Sequence, residues 1–197
     1  MKERPILLKG GFVSAILNDE KTETRRPVKV DLPDRKLFTV GSYHDDRGEL
    51  LEFGFIAEAS DHCSEFSLIV KPEYGVSGDR LWVRETWRPT GSSMPTGWKY
   101  EWRATAKKDG TPEDGPWKPS IHMPRKACRL VLEILSISVE RLHDITEEDA
   151  RAEGVFTINR SYVKGFKHEW EKIYGPCSWK DNPFVWVIKF KSVNEIV

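Results

Sequence analysis

Apolar residues in this chain fall into short groups with one of two spacings, separated by polar turns. Residues 6–8 form a brief apolar run, and Gly10-Gly11 ends it. Phe12, Val13, Ile16 and Leu17 then recur at helical spacing, which predicts one short amphipathic helix closing near Asn18. Between residues 31 and 73 the pattern is strand-like, over 37–43, 51–59 and 66–70, with a polar turn at 44–48. Gly78-Asp79-Arg80 opens a further alternating strand. Leu81, Val83, Glu85 and Trp87 face one way, and Trp82, Arg84 and Thr86 the other. Both faces carry aromatics, so the inward face stays open, a pattern that suits a barrel with something packed outside it.

Residues 98–105 predict another strand, and 107–119, rich in Gly, Pro and charge, a loop. A long alternating strand follows over 129–142. Thr146 is a candidate helix N-cap with acids in the first turn, and Gly154 fits the end of that helix. A second helix is predicted over 162–174, with Phe166, Trp170 and Ile173 on one face, and a buried strand over 184–190 closes the pattern. The expected class is α+β: one domain over 1–197, a small β-barrel with short helices around it, enlarged by insertions at about 31–73 and 89–119.

Composition narrows the partners. Lys plus Arg and Asp plus Glu number 31 each, so net charge is zero and nucleic acid could be held only by a local patch. No apolar run approaches the roughly 20 residues of a membrane span, and the N-terminus lacks the apolar core of a signal peptide. Cys63, Cys128 and Cys177 are scattered, with no Cys-x-x-Cys pair, so neither a zinc site nor a disulfide framework is expected and a reducing cytoplasm is the natural compartment. No metal or cofactor is predicted. Eight tryptophans serve either core packing or base stacking.

The chemistry concentrates in Lys21-Thr22-Glu23-Thr24-Arg25-Arg26. A run with so little to bury is expected at a helix end or on a loop, as a solvated basic turn or as a site. Neighbouring cations and partial burial lower a lysine pKa, which lets Lys21 take a proton from a threonine hydroxyl. An extended chain would point Thr22 and Thr24 the same way; a helical one would pair Lys21 with Thr24. Glu153, an acid at a helix C-terminus, opposes the macrodipole, a small local misfit of the kind functional residues show. His122 is a second candidate. Arg80, Arg84 and Arg125 are candidates for an anion patch with Arg25 and Arg26, with surface ion pairs as the equal alternative. No Gly-rich phosphate loop, His-Glu-x-x-His or Gly-x-Ser-x-Gly is present.

Together these motifs resemble a known family. The stretch from Ile16 to Arg26 resembles the helix-plus-Lys-Thr-x-Thr segment of ASCH domains, in the PUA-like superfamily. Gly78-Asp79-Arg80-Leu81-Trp82-Val83-Arg84-Glu85 is similar to their Gly-Asp strand, and Asp144 to Glu153 to their acidic helix. Trp82-Val83-Arg84-Glu85-Thr86-Trp87 and Ile121-His122-Met123-Pro124-Arg125 look like the longer form found in phages and prophages. The resemblance implies a PUA-like β-pseudobarrel with a cleft beside the first helix, and RNA or a modified nucleoside as ligand. A shorter bacterial branch removes the acetyl group of N4-acetylcytidine with a lysine, a threonine and a glutamate, which by motif position would be Lys21, Thr24 and Glu153. Another relative is a single-strand ribonuclease. This chain departs from the amidohydrolases at Arg25, where they carry an apolar residue; the added charge is expected to mark a phosphorylated or polymeric ligand.

Three readings therefore stand. The first is binding of RNA or a modified nucleoside, with Thr22, Arg25, Arg26, Arg80, Trp82, Arg84, Glu85, His122 and Arg125 around the ligand and Trp82 or Trp98 stacking a base. The second is an amidohydrolase of N4-acylated cytidine using Lys21, Thr24 and Glu153. The third is a ribonuclease with Lys21 and His122. No membrane partner is expected, and a monomer is compatible with the pattern.

Overall fold

The structure is a computed structural model that describes residues 1–29, 38–44, 50–57, 66–90, 100–106 and 115–193. The chain runs β1 (Glu3–Leu7), α1 (Gly10–Leu17), β2 (Glu23–Pro27), β3 (Phe38–His44), β4 (Leu50–Ala57), β5 (Phe66–Val70), β6 (Arg80–Arg84), β7 (Trp87–Pro89), β8 (Tyr100–Trp102), β9 (Val131–Arg141), α2 (Glu147–Ala152), α3 (Tyr162–Tyr174) and β10 (Phe184–Val193). This is a mixed α+β chain. Its main sheet has the order β1-β6-β9-β10-β2, in which β1 runs parallel to β6 and the other neighbours are antiparallel. Within the first expected insertion, β3, β4 and β5 form an antiparallel sheet, and β7 pairs β8.

The inward face of β6 is now fixed. Leu81 and Val83 are buried, while Arg80, Trp82 and Arg84 are half-buried. The single strand expected to continue to Trp87 breaks at Glu85-Thr86. The Glu85 amide there meets Met123 Sδ at 3.2 Å, and Trp87 turns away to pair with Trp102. The main core lies between this sheet and α1: Val13 and Ile16 of the helix meet Leu81, Leu132, Ile134 and Ile188, and Phe53 of β4 packs edge-on against Trp186 at 5.2 Å. A second core joins α2 and α3 to Val185 and Val187, on the opposite face of β10. The sheet is thus covered on both sides, which is why β10 reads as a continuous apolar run. Among the described residues, no helix is long and apolar enough to cross a membrane.

The Gly78-Asp79 pair has a structural job. The Asp79 carboxylate accepts the Lys2 amide at 2.6 Å, the Val76 amide at 3.4 Å and Arg4 Nη1 at 3.1 Å, tying β1 to the start of β6. Burial alone would raise this carboxyl, but the two amides and Arg4 outweigh it and hold it below its ordinary 3.8. A carboxyl lowered on folding adds stability that is whole above its unfolded value and is lost as pH falls through the folded one. Asp79→Asn should therefore cost about 1–2 kcal/mol at pH 7. Urea denaturation curves for the two proteins should converge below pH 3.8; a gap that persists in acid would exclude the carboxylate as its source.

Candidate functional site

The polar run is not a solvated turn. Lys21, Glu23, Thr24 and Arg25 are all buried, although Thr22 is exposed. Strand β2 starts only at Glu23, and Thr22, just before it, is exposed while Thr24 is buried. Thr22 instead joins elements through its backbone: its amide donates to the Ala152 carbonyl and its carbonyl accepts the Phe190 amide, both at 2.9 Å. The charged side chains can be buried together here because Glu23 and the equally buried Glu153 neutralise Lys21 and Arg25. Burying charges is otherwise strongly unfavourable.

Lys21 is the hub. Its Nζ donates to Glu153 Oε2 at 2.6 Å and to the carbonyls of Glu153 and Glu23, each at 2.7 Å. Glu153 caps the C-terminal end of α2, so the ammonium meets both its carboxylate and the negative end of the helix. That resolves the misfit of an acid at this helix end. The helix starts as its sequence implies, with Thr146 and Asp149 in a reciprocal capping box. Gly154 follows at φ 70°, and a Cβ there would press on Lys21 and Ala15, so glycine lets α2 approach the lysine. Burial pushes the Lys21 ammonium below its ordinary 10.5, and Glu153 opposes that drop. Burial raises the Glu23 carboxyl, against the pull of Arg25.

Beside this cluster lies a cavity of about 410 Å³. Its lining includes the polar Thr24, Arg25, Arg26 and Glu153 and the aromatic Phe12, Phe166, Trp170 and Tyr174. The last three are spaced i, i+4, i+8 on α3; Trp170 and Tyr174 lie 4.3 Å apart, ring to ring. The helical spacing of Phe166, Trp170 and Ile173 is legible in the sequence as a packing face, and nothing there marks it as a cavity wall. Arg25 Nε, Glu153 Oε1 and Trp170 Nε1 are buried and make no hydrogen bond within the protein. Such groups are uncommon in folded proteins, and with Arg26 Nε, four occur among the residues lining this one cavity.

The candidate residues divide. Lys21, Thr24 and Glu153 come together: Thr24 and Glu153 line the cavity, and Lys21 reaches it through Glu153. Arg26 also lines it, with Nη2 on the Leu7 carbonyl at 2.6 Å. Arg25 lines it too, but its guanidinium is occupied by carboxylates, so the added charge does not stand free for a phosphate. Arg80, Trp82, Arg84, Glu85, His122 and Arg125 are not among the lining residues. Arg84 stacks over Trp82 at 5.5 Å and donates to the Ile121 carbonyl. Glu85 is buried in a two-pronged pair with Arg129, both bonds 2.9 Å, and Arg125 pairs with Glu3 at 3.0 Å. His122 is exposed on a single 3-10 turn. For Glu85 and Arg125 the ion-pair alternative describes the contacts. Trp98, the other stacking candidate, lies outside the described residues.

No protein-family model matches this chain, and no curated protein matches it. Among solved structures, the crystal structure of a protein from Enterococcus faecalis V583, described by the family model DUF984, aligns with 98% of this chain and 82% of its own. The identity is 6% and the TM-score 0.43. A likeness that slight assigns neither family nor activity.

Proposed function

We propose that the cavity between β2, α2 and α3 binds one base of an RNA or a modified nucleoside, on a PUA-like pseudobarrel of the ASCH type. The observation that carries this reading is the aromatic wall of Phe166, Trp170 and Tyr174 set beside the buried Thr24, Arg25 and Glu153. A flat heteroaromatic ring with polar edges answers both sets of residues at once. A volume of about 410 Å³ suits a single nucleoside, and zero net charge suits a small or locally read ligand better than a long polymer.

A second reading, hydrolysis of the N4-acyl group of an acylated cytidine, is favoured by the meeting of Lys21, Thr24 and Glu153. Thr24 Oγ would attack the acyl carbonyl and form an ester while the cytosine amine leaves; water would then cleave that ester to the free acid. All three protons of the Lys21 ammonium are directed at acceptors, so it orients Glu153 rather than serving as base. The Glu153 carboxylate would take the threonine proton and return it to the departing amine. The ribonuclease reading drew on His122 and has no support from its exposed position.

Titration with N4-acetylcytidine tests both readings. Tryptophan emission should be quenched on binding, and Trp170→Ala should weaken binding by roughly tenfold through lost stacking. Release of acetate would establish the hydrolase; binding without release would leave the first reading. An unquenched protein that binds single-stranded RNA with steep salt dependence would displace both in favour of a surface site.

A further inference from the structure

Arg25 is the least expected member of the site. Its side chain is 1% exposed, yet it faces four carboxylates. Nη1 contacts Glu23 Oε1 and lies 3.8 Å from Glu153 Oε1. Nη2 lies 3.4 Å from Asp149 Oδ2 and 3.5 Å from Glu140 Oε2. These acids come from different elements: Glu23 from β2, Glu140 from β9, and Asp149 and Glu153 from α2 and its cap. Asp149 and Glu153 are four residues apart, so a single helical face presents both to the guanidinium. The planar fork of arginine carries two separate terminal nitrogens, so each can face its own pair of carboxylates, whereas a lysine offers one nitrogen.

We propose that Arg25 is a positioning residue: it clamps α2 against β2 and β9, and so fixes the Glu153 carboxylate between Lys21 and the cavity. The Lys21–Glu153 contact sets one oxygen of that carboxylate, and Arg25 restrains the other. Without the clamp, Glu153 keeps its lysine but is free to rotate, and Glu23 is left buried with only the half-exposed Lys189 at 3.5 Å. This role rests on the cavity being the working site, so its test has one arm that needs no ligand.

The ligand-free arm is amide hydrogen exchange in wild type, Arg25→Met and Arg25→Lys. Exchange in α2 should rise roughly tenfold in Arg25→Met, with α3 unchanged and Arg25→Lys in between. The second arm is N4-acetylcytidine turnover. Arg25→Lys, which keeps the buried charge, should lower kcat about tenfold with KM within about twofold, as expected for a misaligned Glu153. Identical α2 exchange in all three proteins overturns the clamp. A raised KM with unchanged kcat overturns the positioning role in favour of direct ligand contact. If Arg25→Met does not fold, Arg25→Lys carries the exchange comparison alone. A wild type inert toward N4-acetylcytidine defeats the hydrolase reading only, and α2 exchange still decides whether Arg25 holds the helix.

Discussion

Replacing Lys21 with methionine is expected to destabilise the protein by about 3–5 kcal/mol and to abolish any turnover. The side chain is 1% exposed and supplies three hydrogen bonds, so the change removes a charge rather than a surface group. It leaves the Glu153 carboxylate in a protein interior with only Arg25, 3.8 Å away, as counter-charge, and leaves two buried carbonyls unpaired. Breaking one partner of a buried pair costs far more than the pair contributes, because the survivor cannot return to water. The double variant Lys21→Met with Glu153→Gln should therefore be less destabilised than the sum of the singles, by about 1–3 kcal/mol. Chemical denaturation of the four proteins measures this directly. Strict additivity would mean that the 2.6 Å contact contributes nothing. Activity should not return in the double variant, since both the orienting cation and the proton carrier are gone.

The same pair shows where sequence reasoning succeeds and where it stops. Elements were legible because the periodicities are clean: α3 spans 162–174 and β5 spans 66–70, as the spacing predicts, and Thr146 caps α2. Element type depends on local pattern, which one chain carries within itself. The parallel pairing of β1 with β6 was not legible, since it joins residues more than seventy positions apart. Burial of Lys21, Glu23, Thr24 and Arg25 stayed open between a solvated turn and a site for a related reason. Charge density argues for water unless opposite charges arrive from elsewhere, and here they arrive from residues 140, 149 and 153. The meeting of Lys21, Thr24 and Glu153 came from family resemblance; nothing in their spacing requires it. Arg80, Arg84, Glu85 and Arg125 lie away from this cavity, and sequence could not place them, because arginine beside acid has two uses, a salt bridge or an anion site.

Gly165→Ala is expected to lower stability by about 3 kcal/mol, although alanine is the better helix former by about 1 kcal/mol. Gly165 sits in the first turns of α3, where a Cβ would collide with the Phe156 carbonyl. That obstacle is backbone, so no rotamer change relieves it, and the helix must move off the segment that follows Gly154. Movement of α3 displaces Phe166, Trp170 and Tyr174 together, since all three are carried on the same rigid turns. The effect on the proposed ligand should thus exceed what a stability loss alone would cause: N4-acetylcytidine binding should weaken on the order of tenfold at temperatures where the variant remains folded. A fall in Tm of roughly 6–12 °C is the corresponding thermal signature for a chain of this size. Lys164→Ala, an exposed neighbour in the same helix, is the control and should leave both readouts within error. An unchanged Tm for Gly165→Ala would show that α3 does not pack on the Phe156 carbonyl; lowered Tm with undiminished binding would separate the aromatic wall from the ligand and remove the observation on which the base-binding reading stands.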